Sequence, residues 1–478
     1  MKAYLDRRVF LKGLGTASIA AAASPLILCR SPRPNVLFIA IDDLNDWVGC
    51  LGGHPDVKTP HLDRLAAGGV LFSNAHCPAP LCNPSRAALM TGVRTATSGV
   101  YENEQDWREN RRLREAVTMP QYFSSHGYTT LTSGKIFHNR FPHPASWDEC
   151  WPSANNPVPR GPKLPDKPFN GIPNTAQFDW GPLDVPPEEM GDWRVADWTI
   201  QQLQKKHDKP FFLACGFTKP HLPWYVPRRF FDLYPVDRVT LPTVKEDDLD
   251  DIPPIGRAIA KQNADHENVL RYGQWRKAVQ GYLAAISFVD ECVGRVLDGF
   301  EKSEYRNNTI LVLWSDHGWH LGEKLHWRKF SLWEEATRNI LVFRAPGMLP
   351  EGKTCTKPVN LQDMYPTLVG LCGLPTRQLE AYDLAPLLRK PDAEWTRPTL
   401  TTYRRGNHSV RSEDWRYIRY SDGTEELYDH RSDPMEWTNL AAKVEFRSKC
   451  DELAKWLPQV NSEPEPPATG PSQPSDDD

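Results

Sequence analysis

The chain has 478 residues, 40% of them hydrophobic and 25% charged, with a formal net charge of −4 at pH 7. That length allows one large domain plus a smaller one around a sizeable core, and the composition excludes a mainly disordered protein. The negative balance excludes global attraction to nucleic acid, so a polyanion has to be met by a local basic patch.

Arg7-Arg8-Val9-Phe10-Leu11-Lys12, followed by the apolar run Leu14 to Ala23, reads as a twin-arginine signal with cleavage expected after Ala23. The run is too short and too rich in alanine for a stable membrane span. Residues 1–31 are therefore expected to be signal and linker, exporting the protein to the periplasm or beyond through the twin-arginine translocation machinery. Cleavage would move the charge from −4 to about −7. Leu26-Ile27-Leu28-Cys29 has the outline of a lipoprotein site, but Leu28 is large where a small residue is required, which argues against a lipid anchor at Cys29. Ten scattered cysteines in a chain exported already folded predict few or no disulfides.

Asn35 to Ile41 is a continuous apolar run that predicts a strand buried on both faces, ending at Asp42-Asp43. Thr59-Pro60 opens a helix with Leu62, Leu65 and Ala66 on one side, stopped by Gly68-Gly69. Cys82-Asn83-Pro84-Ser85-Arg86 predicts a second helix, stopped at Gly92, with a thiol at its N-terminal end. Backbone N–H groups and the positive dipole end favour an anion there, which suits sulfate or phosphate.

Further strands are predicted at Tyr128–Thr132, Phe211–Phe217, Thr309–Ser315 and Ile340–Phe343, with a long helix over Arg276–Phe300. The alternation predicts an α/β fold, a large mixed, mainly parallel sheet flanked by helices. Ligands of such sheets gather beyond the carboxyl ends of the strands. Four ends carry suitable groups: Asp42-Asp43, Gly134-Lys135 with His138, Lys219 with His221, and Asp316-His317. Phe141 to Pro187, crowded with proline, tryptophan and asparagine, reads as a long ordered loop over the sheet.

After Leu388 a smaller α+β subdomain is predicted, with short strands over Ser409–Tyr420 and Glu425–Tyr428 around the turn Ser421-Asp422-Gly423-Thr424, and a helix over Val444–Leu457. The expected division is 32–390, 391–460 and an acidic, proline-rich, disordered tail over 461–478.

Asp42, Asp43 and Asp316 brought together would repel one another without a cation. Three hard oxygen ligands favour Ca2+ or Mg2+, whereas the imidazole of His317 suits Mn2+ or Zn2+ better. We expect Ca2+, with Mg2+ or Mn2+ as alternatives.

On these residues the chain resembles the type I sulfatases of the alkaline phosphatase superfamily, whose Cys-x-Pro-Ser-Arg signature marks a cysteine converted to formylglycine. The family's basic residue directly after Thr-Gly is displaced here by one place, as Thr91-Gly92-Val93-Arg94. The resemblance covers most of residues 34–390 and is closest to the iduronate 2-sulfatase branch, through Asn35 to Leu44, Gly134-Lys135-Ile136-Phe137-His138, Phe211 to His221, Ser315 to Trp319 and Trp327 to Ser331; Glu426-Leu427-Tyr428-Asp429 resembles the family's C-terminal subdomain.

The resemblance implies an alkaline-phosphatase-like fold and a maturation enzyme that generates the formylglycine from Cys82. It also implies roles: Asp42, Asp43, Asp316 and His317 hold the metal with residue 82, Arg86 steadies the hydrated aldehyde, and Lys135 and Lys329 contact sulfate. His138 deprotonates the remaining hydroxyl, and His221 serves the departing sugar oxygen. The expected substrate is an O-sulfated glycan, with Trp319, His320, Arg328 and the Trp107-Arg108 loop as candidate sugar contacts. Two other readings stay open: a phosphomonoester or phosphonate hydrolase, and a non-catalytic binder of sulfated glycan.

Overall fold

The computed structural model describes residues 33–173 and 177–467. The signal segment, its cleavage point and Cys29 lie outside the described residues.

Asn35–Ile41 forms β1, every residue of it buried. Successive side chains of a strand face opposite sides, so this one strand feeds two cores. Leu37, Ile39 and Ile41 enter a core built with α1 (Pro60–Ala67), α3 (Gly191–Gln204) and the 27-residue α4 (Trp275–Glu301). Val36, Phe38 and Ala40 enter the other, with Ala87, Leu89 and Met90 of α2 (Cys82–Thr91).

The main sheet contains β2 (Val70–His76), β3 (Thr129–Gly134), β4 (Glu149–Trp151), β5 (Phe211–Phe217), β6 (Thr309–Ser315), β7 (Arg338–Arg344), β8 (Lys353–Cys355) and β9 (Val359–Asn360). Its order is β8-β2-β7-β6-β1-β5-β3-β4, with β9 also pairing with β2. β1 is parallel to both β5 and β6, whereas β7 runs antiparallel to β2 and β6, which makes the sheet mixed. The carboxyl ends of β1, β3, β5 and β6 consequently open on one edge, where a doubly covered sheet places its ligand.

Gly134 and Gly216, in register across β3 and β5, approach without side chains. Gly134 has φ +80°, and a Cβ there would lie 1.8 Å from the Gly216 carbonyl oxygen; a Cβ at Gly216 would lie 2.4 Å from the Lys135 carbonyl carbon. Only glycine fits either place.

The stretch expected to be one long loop is partly strand: β4 extends the main sheet, and Trp180–Leu183 pairs in parallel with Trp224–Pro227. The C-terminal sheet has four antiparallel strands, β10 (Thr399–Thr402), β11 (His408–Arg411), β12 (Trp415–Arg419) and β13 (Glu425–Asp429). The run expected over 409–420 is thus two strands broken at Ser412-Glu413-Asp414. One face packs Tyr403, Ile418, Tyr420 and Tyr428 on Leu249, Ile252, Leu332 and Trp333; the other covers Cys450 and Leu453 of a helix, Arg447–Ala454. A buried Arg416 pairs with Glu334 and Glu436, and Arg411 lies 3.0 Å from Glu334, so the two parts share one ionic cluster. The described residues, from Arg33 to 467, form one compact unit.

The tail expected to be disordered is corrected over its first part. Residues 461–467 are ordered, and Ser462 donates its backbone N–H to Ala96 O at 2.9 Å and its hydroxyl to Thr97 O at 2.7 Å. Residues 468–478 lie outside the described residues. Among the described residues nine cysteines are free, and no helix is long and apolar enough to cross a membrane.

Candidate active site

Past β1 the chain turns sharply, with Asp43 at φ 57°, a left-handed conformation that aspartate tolerates better than most residues. The turn is held from two sides. Asp43 N–H donates to Asp316 Oδ1 at 3.1 Å, and the Tyr282 hydroxyl from α4 donates to Asp43 O at 2.7 Å. Ser315 at the end of β6 accepts from Leu44 N–H at 3.0 Å, so the ends of β1 and β6 are tied directly.

Arg86, on α2, reaches under both ends. Its Nη2 donates to Asp42 Oδ1 at 2.7 Å and its Nε to Asp316 Oδ2 at 2.8 Å, while Nη1 donates to the carbonyls of Lys135 and Ile136 at 2.6 and 3.0 Å. A planar fork that spans two carboxylates and two carbonyls is a task for arginine and not for lysine. Lys135 follows β3 directly and places its Nζ 2.7 Å from Asp42 Oδ2.

Cys82 begins α2 and is fully buried, but its surroundings are ionic. Lys329 Nζ lies 2.9 Å from its sulfur, His317 Nε2 3.3 Å and Asp43 Oδ1 3.7 Å. Lys329 also donates to Asp43 Oδ1 at 3.0 Å. His221 Nε2 stands 3.8 Å from Asp43 Oδ2. His138 is buried three residues beyond Lys135, its ring 6.1 Å from that of Phe141. The structure thus brings Asp42, Asp43, Cys82, Arg86, Lys135, His221, Asp316, His317 and Lys329 into one chain of contacts, and buries His138 on the same loop as Lys135.

Burial alone would raise Asp42, but the Lys135 ammonium and Arg86 guanidinium outweigh it and hold that carboxyl well below its ordinary range. For Asp43 burial is likewise outweighed, chiefly by Lys329, and the carboxyl is held down. Burial pushes the Cys82 thiol well up despite Lys329 and Lys135.

The donor set fits a divalent cation. Ligand atoms of Asp43, Cys82, Asp316 and His317 lie within 4.8 Å of one another, as do those of Asp42, Asp43, Cys82 and His221. Asp43 Oδ2 is buried and accepts no hydrogen bond. His317 Nδ1 faces Gly318 O at 3.0 Å; a carbonyl only accepts, so Nδ1 carries the hydrogen and the Nε2 lone pair points into the cluster. His221 Nδ1 likewise donates to Leu222 O at 2.6 Å, and its Nε2 faces Asp43.

Two supporting residues escaped sequence reasoning. Asp192, in the first turn of α3, accepts the backbone N–H groups of Thr218 and Lys219, both at 2.8 Å, and fixes the loop that carries His221. Tyr282 lies inside a helix whose apolar spacing marks it as core, and only its hydroxyl reveals the second task. Lys219, noted in the sequence, donates to His221 O and Pro223 O at 2.9 and 2.6 Å, and burial pulls its ammonium down to about 8.

Of the candidate sugar contacts, Trp319, His320 and Trp107 are packing residues, whereas Arg328 and Arg108 are partly exposed and ion-paired. Trp319 is 2% exposed and His320 is fully buried, the latter bonded to Ser331 Oγ at 2.8 Å. Arg328 pairs with Asp265 at 2.7 Å and stacks on Phe178, while Trp107 stacks on Phe137. Arg108 is held by Asp106 at 2.6 Å.

Residues 34–374 match the sulfatase family model, and residues 322–463 match the model described as N-sulphoglucosamine sulphohydrolase, C-terminal. A sulfatase of Formosa agariphila is 41% identical over 448 residues, 90% of this chain and 87% of that protein. Human iduronate 2-sulfatase is 33% identical over 389 residues, 71% of this chain and 69% of the human protein. Among solved structures, a phosphonate monoester hydrolase from Silicibacter pomeroyi has a TM-score of 0.73 at 20% identity, covering 88% of this chain and 94% of its own. A 2-O GAG sulfatase has a TM-score of 0.69 at 22% identity, covering 88% and 90%. With a matching family model over most of the chain and a buried centre of carboxylates, cations and one thiol at its sheet edge, this protein belongs to the sulfatase family and is a hydrolase of sulfate esters.

Proposed function

We propose that this sulfatase removes O-sulfate groups from a sulfated glycan, using a formylglycine made from Cys82 by a maturation enzyme and a bound divalent cation, Ca2+ before Mg2+ or Mn2+. The observation that carries the reading is the environment of Cys82: Lys329 at 2.9 Å, His317 at 3.3 Å and Asp43 at 3.7 Å surround its side chain with charged and metal-ligating groups. Glycan as substrate class rests on two similar proteins, iduronate 2-sulfatase and a 2-O GAG sulfatase.

Asp42, Asp43, Asp316 and His317 would hold the cation, which supplies Lewis-acid polarisation of a sulfate oxygen. Hydrated formylglycine at residue 82 supplies an attacking oxygen and a second hydroxyl on the same carbon. The remaining work falls to the chain's own groups. Lys135 and Lys329 bind sulfate oxygens, where fixed positive charge acts most strongly in a site closed to water. Arg86 keeps Asp42 and Asp316 in place from below. His138 takes a proton from the residue 82 hydroxyl, and His221 passes one from Nε2 to the leaving sugar oxygen. Arg86, Lys135 and Lys329 match the three carboxylates in charge, so a divalent cation leaves the centre positive and ready for a monoanionic ester.

Export through the twin-arginine route to the periplasm or beyond is part of this proposal and rests on Arg7-Arg8 and the following apolar run.

The deciding experiment is release of free sulfate from a panel of sulfated oligosaccharides, with and without a chelator, run beside an aryl sulfate and an aryl phosphate. Chelator-sensitive release from at least one oligosaccharide is expected. Release from aryl phosphate alone would favour the phosphoester reading. Release from none, with unconverted Cys82 in the mass spectrum, would favour a non-catalytic binder.

A further inference from the structure

Residues 461–465 cross the loop that follows α2 as a strap. Asn461 Oδ1 faces His408 Nε2 at 2.8 Å, the Tyr101 hydroxyl donates to Ser462 O at 2.9 Å, and Glu463 pairs with Arg405 at 2.6 Å. Glu465 donates its N–H to Gly99 O at 3.2 Å, and its carboxylate pairs with Arg112 at 3.0 Å and Arg111 at 3.5 Å. The receiving surface is shaped for this segment: Gly99 has φ +78°, and a Cβ there would lie 2.5 Å from the Glu463 carbonyl oxygen.

One buried residue joins the strap to the first turn of α2, its side chain meeting the strap and its backbone meeting the helix. Gln105 is 3% exposed. Its Nε2 donates to Gly99 O at 3.3 Å and to Glu465 O, while its Oε1 accepts from the N–H groups of Tyr101 and Glu102 at 2.5 and 2.8 Å. Its own carbonyl accepts from Asn83 Nδ2 at 2.8 Å, and that same amide donates to Glu102 O at 3.0 Å. Asn83 N–H donates to Asn103 Oδ1 at 3.0 Å. Asn83 follows Cys82 directly, so the loop 102–105 holds the peptide that fixes where residue 82 points.

We propose that the C-terminal strap, acting through Gln105, positions residue 82 for attack, and that Gln105 is a positioning residue of the reaction. This rests on the role given to residue 82 above. The logic is one of tolerance: a reacting oxygen misplaced by an ångström costs rate without weakening substrate binding, because the lysines that hold sulfate belong to other loops.

The test uses the full-length matured protein with two independent changes. Gln105→Glu keeps an acceptor for Tyr101 and Glu102 but cannot donate to Glu465. The double variant Ser462→Pro with Glu465→Lys loosens the strap and leaves Gln105 intact. Conversion of residue 82 is measured by mass spectrometry, and rates are taken per converted site. Expected is a fall in kcat of about tenfold in both, with KM on an aryl sulfate within about twofold, the signature of an interaction felt only in the transition state. Amide exchange at Asn83 should quicken in both, by about tenfold or more. A lowered melting temperature with unchanged kcat, or a raised KM with unchanged kcat, would make the strap a stabiliser only and overturn the inference. Exchange is read whether or not sulfate is released: unchanged exchange at Asn83 in both variants sinks the strap, whereas an inactive parent chain with altered exchange in the variants sinks only the catalytic reading.

Discussion

The ammonium of Lys329 lies 2.9 Å from the sulfur of Cys82, and the same nitrogen donates to Asp43 Oδ1 at 3.0 Å. One cation therefore serves residue 82 and a candidate metal ligand together, and its positive charge is strengthened, burial being outweighed by Asp43. Lys329→Met is expected to lower kcat by about 10²- to 10³-fold while the protein still folds. Steady-state kinetics on an aryl sulfate, with circular dichroism as the fold control, measures this.

Cys82→Ser and Cys82→Ala should fold and lose turnover by at least about three orders of magnitude. Serine offers a hydroxyl but no second oxygen on the same carbon. A serine variant releasing sulfate at the parent rate would remove residue 82 from the reaction.

Arg86→Lys should be costly for the fold as well as for rate. Lysine cannot span Asp42 and Asp316 while capping the carbonyls of Lys135 and Ile136, and an unpaired buried carboxylate costs on the order of 3 kcal/mol. Urea denaturation reads the loss, and Arg86→Lys as stable as the parent would contradict the geometry. Because a bound cation would partly replace the missing charge, adding Ca2+ should recover part of the stability.

A pH effect is expected where the strap meets the C-terminal sheet. Burial lowers His408 from 6.5 to about 4, opposed only by its bond to Asn461. A histidine whose folded value is depressed costs stability as pH falls, because the unfolded chain takes up the proton first. Above pH 6.5 this residue adds no pH dependence; between 6.5 and about 4 stability should decline by on the order of 3 kcal/mol. Melting curves across that window, with His408→Gln flattening the slope, test the assignment.

Chelation should abolish sulfate release and lower the melting temperature, since a ligand bound only by the folded state stabilises it by mass action. Restoring activity with Ca2+, Mg2+ or Mn2+ in turn identifies the ion. Full activity after exhaustive chelation would contradict the role given to Asp42, Asp43, Asp316 and His317.

How much of this was legible depended on what kind of force orders each segment. β1 was read to the residue, because a fully buried parallel strand is written as an unbroken apolar run. β2 escaped because Ser73-Asn74 interrupts its run, although the strand lies near one side of the same sheet. That the polar residues after the strands would meet was legible from their motifs, since a polar residue directly after a buried strand has few structural excuses. Trp319 and His320 misled for the opposite reason: an aromatic next to a motif looks like a ligand contact, and only burial shows it to be core. The first part of the tail, residues 461–467, was misread because its order comes from Arg112, Gln105 and backbone groups of another loop, none of which appears in its own composition.

The bare contact between Gly134 and Gly216 has a consequence for how this protein can diverge. Two hydrogen atoms gauge the gap between the loop that starts at Lys135 and the loop that leads to His221, and a methyl group at either place would wedge them apart. The floor of the cleft is therefore locked at the resolution of a single carbon. Change that suits a new sulfate ester has to come from the rim.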